Sequence, residues 1–171
     1  MMPPVRRCSW PCAALVAGVV ASLFVYAAGL GPAEAVMTAR GHGIVGLELA
    51  GSASRFEGIL GDWAAVGVEA ARSSIRWDFA FIPAYGLLLW ALVRGRRWGA
   101  PAVVTACLLD VVENVAMWRA IGHVEARDWL VPVATAAAAV KFALLASVVV
   151  AILASGAARL RARARRGREG R

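Results

Sequence analysis

Four apolar stretches, residues 13–30, 77–93, 100–118 and 129–154, constrain this chain more than any other feature of it. A bilayer core requires roughly 20 apolar residues per crossing helix, because backbone groups there must be satisfied within the segment. The remaining residues do not offset that character, since 60% of the chain is apolar and only 18% charged. The expected fold class is therefore all-α, an integral membrane four-helix bundle with an outer amphipathic helical segment. Residues 1–158 form a single transmembrane domain and 159–171 an Arg-rich cytoplasmic tail. The second stretch is the shortest; it extends to Ile75 and Arg76 at the interface, and Pro83 is expected to kink or loosen it.

The first stretch has a second possible reading as a secretory signal. Arg6 and Arg7 precede it, and Ala33-Glu34-Ala35 has the small-x-small form of a cleavage site. Its apolar run exceeds the roughly 7–15 residues of a signal core, and Ala14, Gly18 and Ser22 make a small-residue stripe suited to helix packing. Retention as a membrane helix is the reading adopted.

Orientation follows from the arginines of the short flanks. With both termini cytoplasmic, the inner segments hold Arg6 and Arg7, then Arg94, Arg96 and Arg97, then the tail, while the outer segments carry Glu57, Asp62, Glu69, Glu125 and Asp128. Trp10, Trp77, Trp90, Trp98, Trp118 and Trp129 fall near the ends of the spans, where indole rests between lipid and water; Trp63 lies elsewhere. The expected location is a bacterial inner or plasma membrane. The net charge of +8 is concentrated in the tail, which points to anionic headgroups as a partner at about 1 kcal/mol per arginine. No aromatic or folded reader accompanies it, so no nucleic acid is expected. Cys8, Cys12 and Cys107 are too few for a disulfide framework and read as free thiols, and neither a metal nor a cofactor is implied.

Residues 32–76 form the long outer segment. Ser54 and Glu57 resemble a capping box, followed by Phe56, Ile59, Leu60, Trp63, Val66 and Ala70 at helical spacing. This predicts an amphipathic helix that lies on the outer surface or caps the bundle, then runs into the second span. Before it, Ile44 to Ala50 is a short apolar run whose form periodicity cannot decide. Its one acid, Glu48, reads first as a solvated loop carboxylate; if the run folds back, Glu48 and Trp63 would contribute to a lid. His42 and His123, in outer loops, share no ligand spacing.

The polar residues inside the spans are the candidate site. Asp110, Glu113 and Asn114 stand at i, i+3 and i+4 on the third span, Asp78 and Tyr85 seven apart on the second, and Lys141 near the middle of the fourth. An ionised side chain in the bilayer centre costs about 2.5–3.5 kcal/mol on insertion scales, so these groups must face inward and are expected to form one cluster. On the fourth span, Ala139, Ala143, Ser147, Ala151 and Ser155 make a small stripe expected to serve close helix contact. Asp78, Asp110 and Glu113 against Lys141 leave two surplus negative charges unless Arg76 joins, a cation binds or a carboxyl is protonated.

Three functions fit this pattern. The favoured one is a structural polar cluster serving helix packing and assembly. The alternatives are proton, cation or polar-solute transport, requiring a homo-oligomer, and a membrane-embedded enzyme using a carboxylate on a lipid-like substrate. Signatures of known membrane enzymes are absent, which weighs against catalysis.

The segments Gly43-Ile44-Val45-Gly46-Leu47-Glu48-Leu49-Ala50-Gly51, Trp63, Asp78 with Tyr85, Leu109-Asp110-Val111-Val112-Glu113-Asn114 and Lys141-Phe142, in that order, resemble a family of small bacterial four-helix integral membrane proteins. The resemblance covers roughly residues 41–142 by pattern. It implies four membrane helices and singles out the same polar residues, but brings no assigned activity.

Overall fold

A computed structural model describes residues 10–169, with 158–169 as helical backbone alone. Arg6, Arg7 and Cys8 lie outside the described residues, as do the side chains of the arginine tail. Helices account for nearly all of the described chain, with no strand among the described residues. They are α1 (Trp10–Val25), α2 (Gly31–Thr38), α3 (Ile44–Glu48), α4 (Ala53–Val93), α5 (Gly99–Gly122) and α6 (Arg127–Glu169). Four stretches are long and apolar enough to cross a membrane: Cys12–Thr38, Ala53–Val93, Gly99–Gly122 and Val124–Ala157.

Each span runs past the limits read from hydropathy alone. The first continues to Thr38 through a wide π turn, Tyr26–Leu30, so residues 31–38 belong to it rather than to an outer loop. That turn contains Ala28, the carbonyl that the ring of Pro32 would crowd in α register. The amphipathic segment and the second span run together as α4, which consists of two helices joined at a kink at Ala64 (φ 52, ψ −168), so the second of them carries residues 65–76 directly into the span. The helix continues through Pro83. The cap of α4 also differs: Ser52, in extended conformation after Gly51 at φ 76, accepts from Arg55 N at 3.3 Å, and Ser54 falls inside the helix.

Two apolar layers hold the bundle above and below the polar residues. Phe56, Ile59 and Trp63 of α4 pack with Met37, Leu47, Met117, Ile121 and Val131, so the amphipathic segment caps the bundle. At the other end Val93, Val103 and Val148 pack together with Leu89 and Trp90. The small stripe of α1 is a contact face: Ala14 and Gly18 are buried and Ser22 half-buried, and the face continues through Val25 to the buried Gly29 of the π turn. A Cβ on Gly18 would come within 2.8–2.9 Å of the Leu88 backbone, and one on Gly29 would run into the Trp77 ring. The stripe on α6 behaves otherwise. Ala139, Ala143 and Ser147 face outward and Ala134, Ala137, Ala138, Lys141 and Val148 are buried, while Ala151 and Ser155 further along the stripe are half-buried, with Ser155 Oγ accepting from Arg96 at 2.6 Å. The inward side of α6 is the one that carries Lys141, because leaving an ammonium in hydrocarbon costs more than leaving a row of methyls there.

Candidate functional site

Three helices bring their polar residues to one level between the two apolar layers. Lys141 Nζ donates to Asp110 Oδ1 at 2.8 Å and stands 2.6 Å from Glu113 Oε2. The second contact is an ion pair without hydrogen-bond alignment, so both Glu113 oxygens lack a hydrogen-bond partner. Tyr85 Oη donates to Asp110 Oδ2 at 2.7 Å, and Asn114 Nδ2 donates to Asp78 Oδ2 at 2.6 Å. Asp78 faces the same space as Tyr85, Asp110 and Lys141. The six polar residues singled out in the spans therefore lie together at one place in the bundle. Lys141 Nζ additionally lies over the Phe142 ring, 4.7 Å from its centroid.

Glu48 is the seventh member, and here the first reading of the sequence needs correction. It is not a solvated loop carboxylate: it is 8% exposed, and its Oε2 has no hydrogen-bond partner. The reason is that α3 folds back over the bundle and is tied down on several sides. Glu34 Oε2 accepts from Ile44 N at 2.9 Å, while Thr135 Oγ1 donates to Glu48 O at 2.9 Å and accepts from Gly51 N at 3.1 Å. Trp63 Nε1 donates to the His42 carbonyl at 2.8 Å, just before α3. The indole itself is fully buried in the apolar layer, so Trp63 anchors the strap that leads to Glu48 and does not cover the cluster. Burial pushes the Glu48 carboxyl above the usual carboxylate range; Lys141 pulls the other way, and Asp78 and Asp110 add to the rise.

The charge imbalance is larger than the sequence suggested. Arg76 does not join; it pairs with Glu69 at 2.7 Å and lies near the Trp118 ring. Glu48, Asp78, Asp110 and Glu113 thus face the single ammonium of Lys141, and full ionisation would leave three uncompensated negative charges. Like charges this close in low dielectric repel strongly, so a cation brought to the cluster is favoured there.

Two cavities open onto these groups. One, of about 290 Å³, lies between Tyr26 and Leu30 of the π turn, Ile44 and Val45 of α3, and Asp78 and Asn114. The other, of about 390 Å³, has Asp78, Tyr85, Asp110 and Lys141 on its floor and Leu88, Leu89, Leu145 and Val149 on its walls. Val45, Glu48, Asp78 and Phe81 line both. Among the described residues no group of three or more His, Cys, Asp or Glu is placed to hold a metal ion. Glu34 and Thr135 were missed from the sequence; a Thr inside an apolar stretch was the one available signal, whereas Glu34 was disguised within a cleavage-like tripeptide. No protein-family model matches the chain, and no curated protein or solved structure matches it either. The chemistry of the site therefore follows from its geometry alone.

Proposed function

We propose that this chain is a ligand-binding integral membrane protein of four crossings with both termini cytoplasmic, and that the carboxyl cluster is the floor of a site reached sideways from the outer half of the bilayer. The observation that carries this reading is the pair of cavities meeting at Glu48 and Asp78. A cluster serving only to fix helix register is best sealed and charge-balanced, because each uncompensated buried charge destabilises the fold. This one opens onto two cavities, and its four carboxyls outnumber its one ammonium. The larger cavity, about 390 Å³, is within the roughly 300–1,000 Å³ of small-molecule sites, and its mostly apolar walls over a polar floor suit an amphiphile better than a hydrated ion. The packing of Val93, Val103 and Val148 beneath the cluster favours a one-sided binding site over a path through the bundle.

Saturable binding of a neutral, dansyl-labelled alkyl amide to the purified protein in phosphatidylcholine nanodiscs tests the reading. Leu145→Trp, which fills the cavity wall, is expected to weaken that binding about tenfold, equivalent to about 1.4 kcal/mol. Absence of saturable binding, or indifference to Leu145→Trp, would overturn it.

A further inference from the structure

We infer that the occupant of this site is a membrane-soluble amine, with its ammonium head between Glu48 and Asp78 and its hydrocarbon chain along Leu88, Leu89, Leu145 and Val149. The inference rests on the binding-site reading above and adds the sign of the ligand's charge. Its warrant beyond the acidic cluster is Glu48 Oε2, an unpartnered oxygen on a side chain that is 8% exposed and lines both cavities. A buried acceptor without a donor carries a desolvation cost of about 1–3 kcal/mol, more when charged, that a donor from the ligand would remove.

The alternatives fit less well. An anionic head would add to the surplus of negative charge, and the one ammonium present is already occupied by Asp110 and Glu113. A neutral alcohol could supply a single donor but carries no charge to take the place of a proton held by the site's carboxyls. An ammonium brings three donors and a positive charge, matching the Glu48 and Asp78 carboxyls, while the Phe81 ring, common to both cavities, offers the kind of face that Phe142 gives to Lys141.

Binding is an exchange. The ligand arrives as an ammonium with its N–H bonds intact, one carboxyl O–H of the site breaks, and that proton leaves to the outer water, so the site's charge is conserved. Glu48 is the group placed for this step. It faces Asp78 of α4, Asp110 and Glu113 of α5 and Lys141 of α6, while Glu34 of α2 is engaged at Ile44 N; its burial favours the protonated form that the step requires.

Competition against the neutral dansyl probe, with the full chain in phosphatidylcholine nanodiscs, separates the possibilities. Dodecylamine is expected to displace the probe at about tenfold lower concentration than dodecanol, with dodecyl sulfate weakest. Addition of the amine in weak buffer should release protons, read by a pH dye. Glu48→Gln should abolish the amine preference, read as the ratio of dodecanol to dodecylamine displacing concentrations measured against each variant's own probe affinity; Asp78→Asn serves the same purpose if Glu48→Gln fails to fold. Equal displacement by dodecanol and dodecylamine would overturn the inference and leave the binding site standing. An amine preference that survives both substitutions would place the amine elsewhere and also overturn it. Failure of the probe itself to bind saturably would remove both.

Discussion

Lys141 is the cation on which the buried cluster depends, 5% exposed and in contact with two carboxylates. Lys141→Met is expected to destabilise the protein by about 3–5 kcal/mol, because it strands acids that have no other cation in salt-bridge contact among the described residues. Adding Asp110→Leu should recover much of the loss, although Tyr85 then loses its acceptor. Thermal unfolding of the two variants in detergent checks this, and a single mutant as stable as the parent would contradict it. Glu48 supplies a pH dependence of opposite sense to the usual one for carboxylates. Its folded-state affinity for a proton exceeds the unfolded one, so its contribution is complete below the ordinary value of 4.5 and is lost as pH rises above it. Glu48→Gln should flatten the fall in melting temperature on the alkaline side of that value; an unchanged slope would exclude Glu48 as its source. The residues on α5 and Lys141 were legible in the sequence because charges inside an apolar stretch are conspicuous and must be placed somewhere dry but paired. Glu48 was not legible, since a carboxylate on a short segment looks the same whether that segment faces water or folds inward.

Two small-residue stripes of similar appearance met different fates, and the difference belongs to the helices that carry them. The α1 stripe is pressed onto α4 and its face continues into the π turn, so Gly29→Ala forces a methyl into the Trp77 ring and should cost about 1–3 kcal/mol, as overpacking commonly does. Gly58 is the control. A Cβ there meets nothing within 4 Å, and Gly58→Ala in the helix should stabilise by about 0.5–1 kcal/mol. Unfolding midpoints of the two variants moving the same way would refute the assignment of faces. On α6 the stripe points outward because Lys141 claims the inner side, a competition that a list of small residues does not reveal. The cap of α4 makes the same point: both Ser52 and Ser54 are acceptable N-cap residues, and the choice went to Ser52 because Gly51 turns the chain immediately before it.

For the bundle in its membrane, the proposed orientation carries a direct expectation. A reporter fused at Gly170 should read as cytoplasmic and one inserted at Ala53 as external, following the arginine bias of the flanks. The reverse pattern would move the carboxyl site to the inner leaflet and require the amphiphile to come from that side. An N-terminus found cleaved after Ala35 would remove α1, and with it the Tyr26 and Leu30 side of the smaller cavity.

The number of spans, their helical nature and the inward direction of their charged residues were all readable from the chain, because each follows from local quantities: apolar run length, a period of 3.6 residues and the cost of a charge in hydrocarbon. The site's character was settled at longer range. Thr135 reaches Gly51 and Glu48 across 84 and 87 residues, and those two contacts help hold α3 over the cluster. A fourth carboxyl thereby joins the cluster, the charge surplus rises from two to three, and the space beside Phe81 stays open. None of these has a local signature, since segment separation, crossing and register fix which distant side chains come within a few ångströms, and the energy of a buried charge depends on that neighbourhood rather than on its own sequence context.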